Sequence, residues 1–410
     1  MPAAKAAAGT QSDETNWRVV WIAFGAGIIA ATHIGKLPPA LTDIRTELEA
    51  GLVMAGWILS TISTTGFVLG LAAGAIADRV GPRRMLVFGL LMLAAGSLLG
   101  ALATSAEFML LSRFLEGVGF TSTTVTGGVM IARATTDADR KWALGVWAAY
   151  MPLGFAGMMM VSALGLESLG WRALWGISGA ISLVWAIAVL KMTAGWNPGR
   201  GRAAAGQSMA RNIGLNLRQA GGLLVAACFA LYAAQHIGMM SWLPTYMTEV
   251  YGSGIVFGAA VPALVLLFNA GGNYTAAWAM GRGAPIWLLL ALGAGGMAIA
   301  EAGIFWSAMP DALRLALVLF FGIAGGLIPA SALAAAPVYA PSPSLVGAMS
   351  GVMVMGSNTG QLFGPPLLAT AREAAGNWDG TLWVLLGLAV ASAACALLSR
   401  QFEIRAIDPK

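Results

Sequence analysis

Charge is scarce in this sequence. Of 410 residues only 10% are Asp, Glu, Lys or Arg, while 58% are hydrophobic; a soluble domain carries about 25% charged residues. That shortage excludes the two or three soluble domains that length alone would suggest. Cysteine is nearly missing as well. Cys228 and Cys395 lie far apart, each inside an apolar stretch, which excludes a disulfide framework or a cysteine metal site. Histidine occurs twice, as His33 and His236. No nucleophile–base–orienter set, metal cluster or cofactor loop is visible, so neither an enzyme nor a cofactor is expected. The net charge of +5 is spread over short loops without a dense basic stripe, which sets nucleic acid aside as a partner. The polar, alanine-rich start runs into an apolar stretch without a small-residue cleavage site, so a retained first helix is expected.

What is present is a series of long apolar runs. Spans are predicted at about 17–41, 53–77, 83–104, 107–133, 142–166 and 172–193, then at 219–246, 254–280, 285–307, 312–336, 345–370 and 379–399. A lone strand would leave backbone groups unpaired in lipid, so each span is expected to be helical. The 54 glycines fit close packing of membrane helices, and the 15 tryptophans fit interfacial belts. Placing both termini in the cytoplasm puts seventeen Lys and Arg on the cytoplasmic side. Four remain outside: Arg45, Arg172, Arg314 and Arg372. That asymmetry predicts a multi-pass protein of the bacterial inner membrane with cytoplasmic termini. A basic, Gly/Ala-rich break between Met192 and Ala220 reads as a linker. The expected organisation is therefore an N-terminal bundle over 1–193, a linker over 194–218 and a C-terminal bundle over 219–410.

The two halves match each other. Ala31-Thr32-His33-Ile34-Gly35 answers Ala234-Gln235-His236-Ile237-Gly238; Gly145 and Gly154 answer Gly351 and Gly360; Gly81 answers Gly283. Odd spans matching odd spans imply a parallel repeat about an axis along the membrane normal.

After span 2 comes Gly74-Ala75-Ile76-Ala77-Asp78-Arg79-Val80-Gly81-Pro82-Arg83-Arg84. This resembles the loop 2–3 signature of the major facilitator superfamily, with Pro82 as the departure. Arg113-Phe114-Leu115-Glu116-Gly117-Val118-Gly119 resembles its R-x-x-x-G-x-G element in helix 4, with Glu116 replacing the usual neutral residue. The run from Gly145 through Tyr150-Met151-Pro152-Leu153-Gly154 resembles its helix 5 element. The resemblance implies an all-α integral membrane fold of twelve transmembrane helices in two six-helix bundles, working by rocker-switch alternating access. Within the superfamily the chain is most similar to the cyanate/nitroimidazole porter group. The segments that carry this are Gly35-Lys36-Leu37-Pro38-Pro39-Ala40, Tyr150 to Gly154 and Gly360-Gln361-Leu362-Phe363-Gly364-Pro365-Pro366.

Candidate functional residues fall into three groups. Asp78, Arg79, Gly81, Arg83 and Arg84 are expected either to latch the halves together in the outward-open state or to serve as an ordinary positive-inside loop. Lys36, a charge deep in a span, is a functional candidate by default. It would draw an anion into the cavity or snorkel to the periplasmic headgroups. His33 lies one turn before it on the same face, and Gln235 and His236 hold the matching place in span 7. The two histidines suggest a substrate or proton site near the midplane, against separate histidines bonded to backbone. Arg113 and Glu116, one turn apart in span 4, read as an ion pair that is structural or couples protons. Glu301 reads as an interfacial carboxylate toward the periplasmic end. Trp147, Tyr150, Asn269, Asn273, Asn358 and Gln361 are expected to line the cavity or to glue helices.

Two functions follow as expectations. The first is a secondary transporter for a small organic or inorganic anion, coupled to protons and working as a monomer in the bilayer. The alternative is a proton-coupled exporter of drugs or metabolites, which would depend on Glu116 rather than Lys36.

Overall fold

The computed structural model describes residues 14–68, 80–196, 214–306, 308–342 and 345–407. Among them there is helix and no strand. This is how apolar segments satisfy their backbone groups without water. Asp78, Arg79 and most of the expected linker lie outside the described residues.

Helix α1 (Trp17–Gly35) opens at Asn16, whose side chain accepts from the Val19 amide at 3.2 Å. It stops at Lys36 because Pro38 and Pro39 have no N–H to offer its last carbonyls. The chain restarts at once as α2 (Leu37–Glu47). Helix α3 (Leu52–Ser60) tightens into a 3₁₀ turn at Thr61–Ser63. Helices α4 (Pro82–Ala101), α5 (Ala106–Ala134) and α6 (Asp137–Trp147) follow, then α7 (Tyr150–Met192). Forty-three residues of helix would reach about 65 Å, far beyond the roughly 30 Å of a bilayer core. The run is in fact broken at Gly170, whose φ of 73° suits glycine alone. The later elements are α8 (Ala220–Tyr251), α9 (Ile255–Met280), α10 (Ile286–Ile304), α11 (Asp311–Ala334), the short α12 (Ala336–Tyr339), α13 (Val346–Ala375) and α14 (Asp379–Ile407).

Eight helical stretches among the described residues are long and apolar enough to cross a membrane. One of them, running to Met192, covers two of the expected spans. The other expected spans fall on α3 and the turn after it, described only to Val68, and on α5 and α13. The last two have the length, at 29 and 30 residues, but carry polar side chains, and α5 buries Ser112, Arg113, Glu116 and Thr123. Their polarity is where the candidate site lies.

Helices α1, α4, α5 and α7 pack on one another, and so do α8, α9, α10, α11, α13 and α14. The two groups meet through α3 on α13, α7 on α9 and α2 on α8. The largest apolar core runs from Leu37 and Ile58 through Phe155 and Trp175 to Trp242, Phe321 and Leu368, so both groups share it near α2. A separate core of Val19–Ala30, Leu86–Leu93, Met130–Ala134 and Val189 closes the other end of the first group alone. The groups are joined at the α2 end. At the joined end Arg45 lies beside Glu249, Arg372 and Glu373 of the second group; burial holds its pKa below the usual range and Glu249 opposes that shift.

Of the matching glycines, Gly154 and Gly360 make matching contacts. A Cβ on Gly154 would collide with the Ile28 carbonyl and Ala31 of α1, and one on Gly360 with the Ala230 carbonyl and Ala234 of α8. Gly81 and Gly283 share a left-handed backbone, with φ of 96° and 88°. Around Gly387 in α14 there is open space. Gly360→Ala is therefore expected to lower stability by about 1–3 kcal/mol through overpacking. Gly387→Ala is expected to be neutral or slightly stabilising. Thermal melts of the two detergent-purified variants check this, and equal melting points would refute the assigned contact.

Candidate functional site

Four ionisable side chains from two helices meet inside the first group. His33 and Lys36 stand one turn apart at the end of α1, Arg113 and Glu116 one turn apart in α5, and all four are fully buried. The Glu116 carboxylate is the centre. Its Oε1 accepts from Lys36 Nζ at 2.5 Å and lies 2.9 Å from His33 Nδ1; its Oε2 accepts from Arg113 Nη1. Lys36 also donates to Ser97 Oγ at 2.7 Å, which donates in turn to the Trp175 carbonyl at 2.7 Å. The ammonium lies 4.4 Å from the centre of the Trp175 ring.

Arg113 reaches both of the broken helices. The end of α1 offers free carbonyls, and that of His33 accepts from Arg113 Nη1 at 2.8 Å. Beside the tightened turn after α3, the Ile58 carbonyl accepts from Arg113 Nε at 3.3 Å. Ser162 Oγ closes the break from the other side, donating to the Lys36 carbonyl at 3.0 Å.

His33 can exist in two charge states here without any heavy atom moving. Its Nε2 lies 2.8 Å from Ser182 Oγ, and Ser182 Oγ lies 2.9 Å from the Ser178 carbonyl. With a neutral ring, Nδ1–H donates to Glu116 and the Ser182 hydroxyl donates to Nε2. With a charged ring, Nε2–H donates to Ser182, whose hydrogen turns to Ser178.

The charge count is uneven. Lys36 and Arg113 bring two positive charges against one carboxylate, and Arg113 Nη2 has no partner among the described residues. Two charges can stay in a dry interior only when they are paired and hydrogen-bonded. That requirement corrects both expectations for Lys36: it neither faces an open cavity nor snorkels, because Glu116 and Ser97 hold it inside. The Arg113–Glu116 pair foreseen in α5 is present but is half of a larger cluster. Ser97, Trp175 and Ser182 were missed; the available signal was hydroxyls set singly in apolar runs, with Ser178 and Ser182 one turn apart.

The two histidines do not form one site. His236 in α8 is stacked between Tyr232 and Phe321, with ring centres 5.3 and 5.9 Å away, and His33 turns into the first group. Each helix packs into its own group, which keeps them separate. Gln235 donates to the Leu231 carbonyl at 3.0 Å. Asn269 donates to Tyr232 Oη at 3.0 Å and to the Gly322 carbonyl at 3.2 Å, and Asn273 donates to Asn269 Oδ1 at 3.1 Å. These amides tie α9 to α8 and α11. Trp147 and Tyr150 stack at 4.4 Å against Gly27. Arg83 donates to Thr193 Oγ1 at 2.9 Å and to the Leu190 carbonyl at 2.6 Å, inside its own group; Arg84 is exposed. Glu301 lies in the last turn of α10, as expected, and is fully buried in protein.

Between the groups lies a narrow space lined by Ile34, Pro38, Leu59, Ile62, Ser63 and Met151 on one side and Ile237, Ser241 and Gln361 on the other. Ser63 Oγ donates to Gln361 Oε1 across it at 3.4 Å. Asn358 sits beside it on α13, against Gly66. Ile34 follows His33 and Leu59 follows Ile58, so Arg113 bonds to the backbone just behind this wall.

The sequence profile of the Major Facilitator Superfamily matches residues 21–365. This chain belongs to that superfamily. It is accordingly a multi-pass membrane transporter and not an enzyme. It is 22% identical, over 88% of its length and 90% of the relative's, to the Bacillus subtilis protein named as the niacin/nicotinamide transporter NiaP. It is 29% identical to the 4-hydroxybenzoate transporter PcaK of Pseudomonas putida, over 42% of this chain and 39% of that one. The fold is similar to a crystal structure of a bacterial homologue of the human lysosomal transporter Spinster in an inward-facing, unoccupied conformation. There the TM-score is 0.79 at 15% identity, covering 95% of this chain and 97% of that one.

Within this transporter the carboxylate is the costly group to lose. Glu116→Gln leaves Lys36 and Arg113 without neutralisation and is expected to destabilise the fold by about 3–5 kcal/mol. Adding Lys36→Met to it is expected to recover part of the loss. Thermal melts of the single and double variants decide; strictly additive losses would show that the two side chains do not interact.

Proposed function

We propose that this protein is a secondary active transporter that carries a small organic anion together with a proton across the bacterial inner membrane. It would work as a monomer with cytoplasmic termini, by rocking one six-helix bundle (1–193) against another (219–410). The observation that carries this reading is the unneutralised positive charge of the His33–Lys36–Arg113–Glu116 cluster, set behind the wall of the space between the two groups. An anion in that space interacts favourably with the cluster, and more strongly where the dielectric is low. Protonating Glu116 or His33 adds another positive charge, so proton and anion each favour the other's binding, and by linkage equally. That sign supports symport.

The space is nearly closed in this conformation, at about 10 Å³, and has to widen to take a solute; its lining favours an organic one, since six of its nine residues are apolar and Ser63, Ser241 and Gln361 offer a few hydrogen bonds. The names of the two relatives, which concern small aromatic acids or their amide, point the same way. So does the resemblance to the cyanate/nitroimidazole porter group, as regards a small solute. With the orientation read from the basic residues, the joined α2 end is periplasmic. Asn358, Gln361 and Ser63 are assigned to substrate contact. Gln235, His236, Asn269, Asn273, Trp147 and Tyr150 are assigned to shaping the walls. Asp78, Arg79, Gly81, Arg83 and Arg84 are kept as the latch of the outward-open state.

The apolar lining also supports a second reading, export of an apolar or cationic compound in exchange for protons. There the sign reverses, because proton and cation compete. Thermal stabilisation of the purified protein by nicotinate and 4-hydroxybenzoate distinguishes the two. The expected shift is larger at mildly acidic than at neutral pH. It is absent in Lys36→Met, where the cluster becomes neutral. Stabilisation by cations alone, weakening as pH falls, would replace the anion reading with the exporter.

A further inference from the structure

The second group repeats the first group's buried arrangement without its ion cluster. His236 matches His33 and, at the same offset, Met239 matches Lys36. Phe321 stacks on His236 where Glu116 meets His33. On α10, which corresponds to α4, the place of Ser97 falls on Ala300 at that offset, next to Glu301. The second group has thus lost the central carboxylate and its lysine but carries a carboxyl of its own, one helix away.

Glu301 is fully buried, and neither of its oxygens has a hydrogen-bond partner among the described residues. The titratable groups on the helices packed around it are engaged elsewhere. On α11, Arg314 bonds Tyr251 and the carbonyls of Trp306 and Met309, with Asp311 beside it at the helix start. On α14, Arg400 covers the Trp287 ring and Glu403 caps the amides of Ile286 and Trp287, both at the far end of α10; Asp379 sits at the helix start, and Cys395 is half-buried. On α8, Cys228 bonds Ser392, and Tyr232 and His236 lie in the ring stack. Tyr246 is the exception. Its hydroxyl donates at 3.5 Å to the carbonyl of Ile304, one turn from Glu301. Among the described residues no cation is paired with the carboxyl, and an unpaired charge is not sustained in such an interior, so the group holds a proton in this conformation.

Tyr246, bonded to the backbone one turn from Glu301, also reaches toward the surface. It lines a small gap with Leu243 and Phe305. On its other side it lines a cleft of about 340 Å³ at the α2 end, with Tyr251, Phe257, Arg314 and Val318. We propose that Glu301 is a second proton-binding site of the transporter, filled in this conformation and exchanging with the α2 end past Tyr246. In a state that admits water beside Tyr246, the carboxyl proton would pass to that water and on to the cleft, and the carboxylate left behind would take up the next proton.

This inference rests on proton coupling at the Glu116 cluster, and the test separates the two. In proteoliposomes the number of protons moved per 4-hydroxybenzoate is read from the reversal potential. Glu301→Gln is expected to lower that number by one while leaving stabilisation by 4-hydroxybenzoate unchanged. Tyr246→Phe is expected to slow uptake severalfold at an unchanged number. A wild-type number and rate in Glu301→Gln would overturn the second site while the Glu116 reading stands. A wild type that moves no protons would bring down both. If Glu301→Gln does not fold, Glu301→Asp decides: a pH profile of uptake displaced from wild type supports the site, and an unchanged profile overturns it.

Discussion

The structure of the first helix group depends on one carboxylate shared by three donors. Glu116 neutralises part of the charge on Lys36 and Arg113 and faces His33, at a depth where none of these groups meets water. Without it the two cations would be unpaired in a low-dielectric interior. With it, Arg113 is free to spend its remaining donors on backbone, and it takes the carbonyls of His33 and Ile58. Those carbonyls belong to the two places where α1 and α3 depart from regular helix. The charge state of the cluster and the shape of the helices around the central space are therefore mechanically connected.

The two groups share a backbone design and differ in polar content. Gly154 against α1 and Gly360 against α8 bring helices equally close in each, through contacts that no side chain could replace. In the first group the space behind these contacts holds ions. In the second it holds a stack of Phe229, Tyr232, His236 and Phe321, with Asn269 bonded to the Tyr232 hydroxyl. A stacked, mostly apolar interior is stiff and insensitive to ions, and an ionic one responds to them. This asymmetry assigns most charge sensing to the first group and leaves Glu301 as the one fully buried acid in the membrane part of the second among the described residues.

On the proposed reading, a cluster with more positive than negative charge would tie the charge of a transported solute to protons through sign alone. No direct contact between proton and solute is needed, because both act on the same local field. Membership of the Major Facilitator Superfamily fits a transporter built this way.

Much of this was legible in the sequence. Scarce charge and long apolar runs imply membrane helices, since backbone in lipid has no other partner than its own segment. The pairs His33–Lys36 and Arg113–Glu116 were readable as neighbours, because residues one turn apart share a helix face. What spacing cannot say is which faces meet. Lys36 and Glu116 are eighty residues apart, and their contact follows from the packing of α1 on α5, as do the roles of Ser97 and Ser182. The same limit shows at two further places. His33 and His236 match in sequence yet face into different groups, and Glu301 lies near a helix end yet is covered on every side. The sequence by itself determined that this chain is helical, repeated and membrane-bound. Only the tertiary structure decided which buried charges are paired and which are not, because the partner of a charge in a dry interior is chosen by the neighbouring helix that packing brings to it.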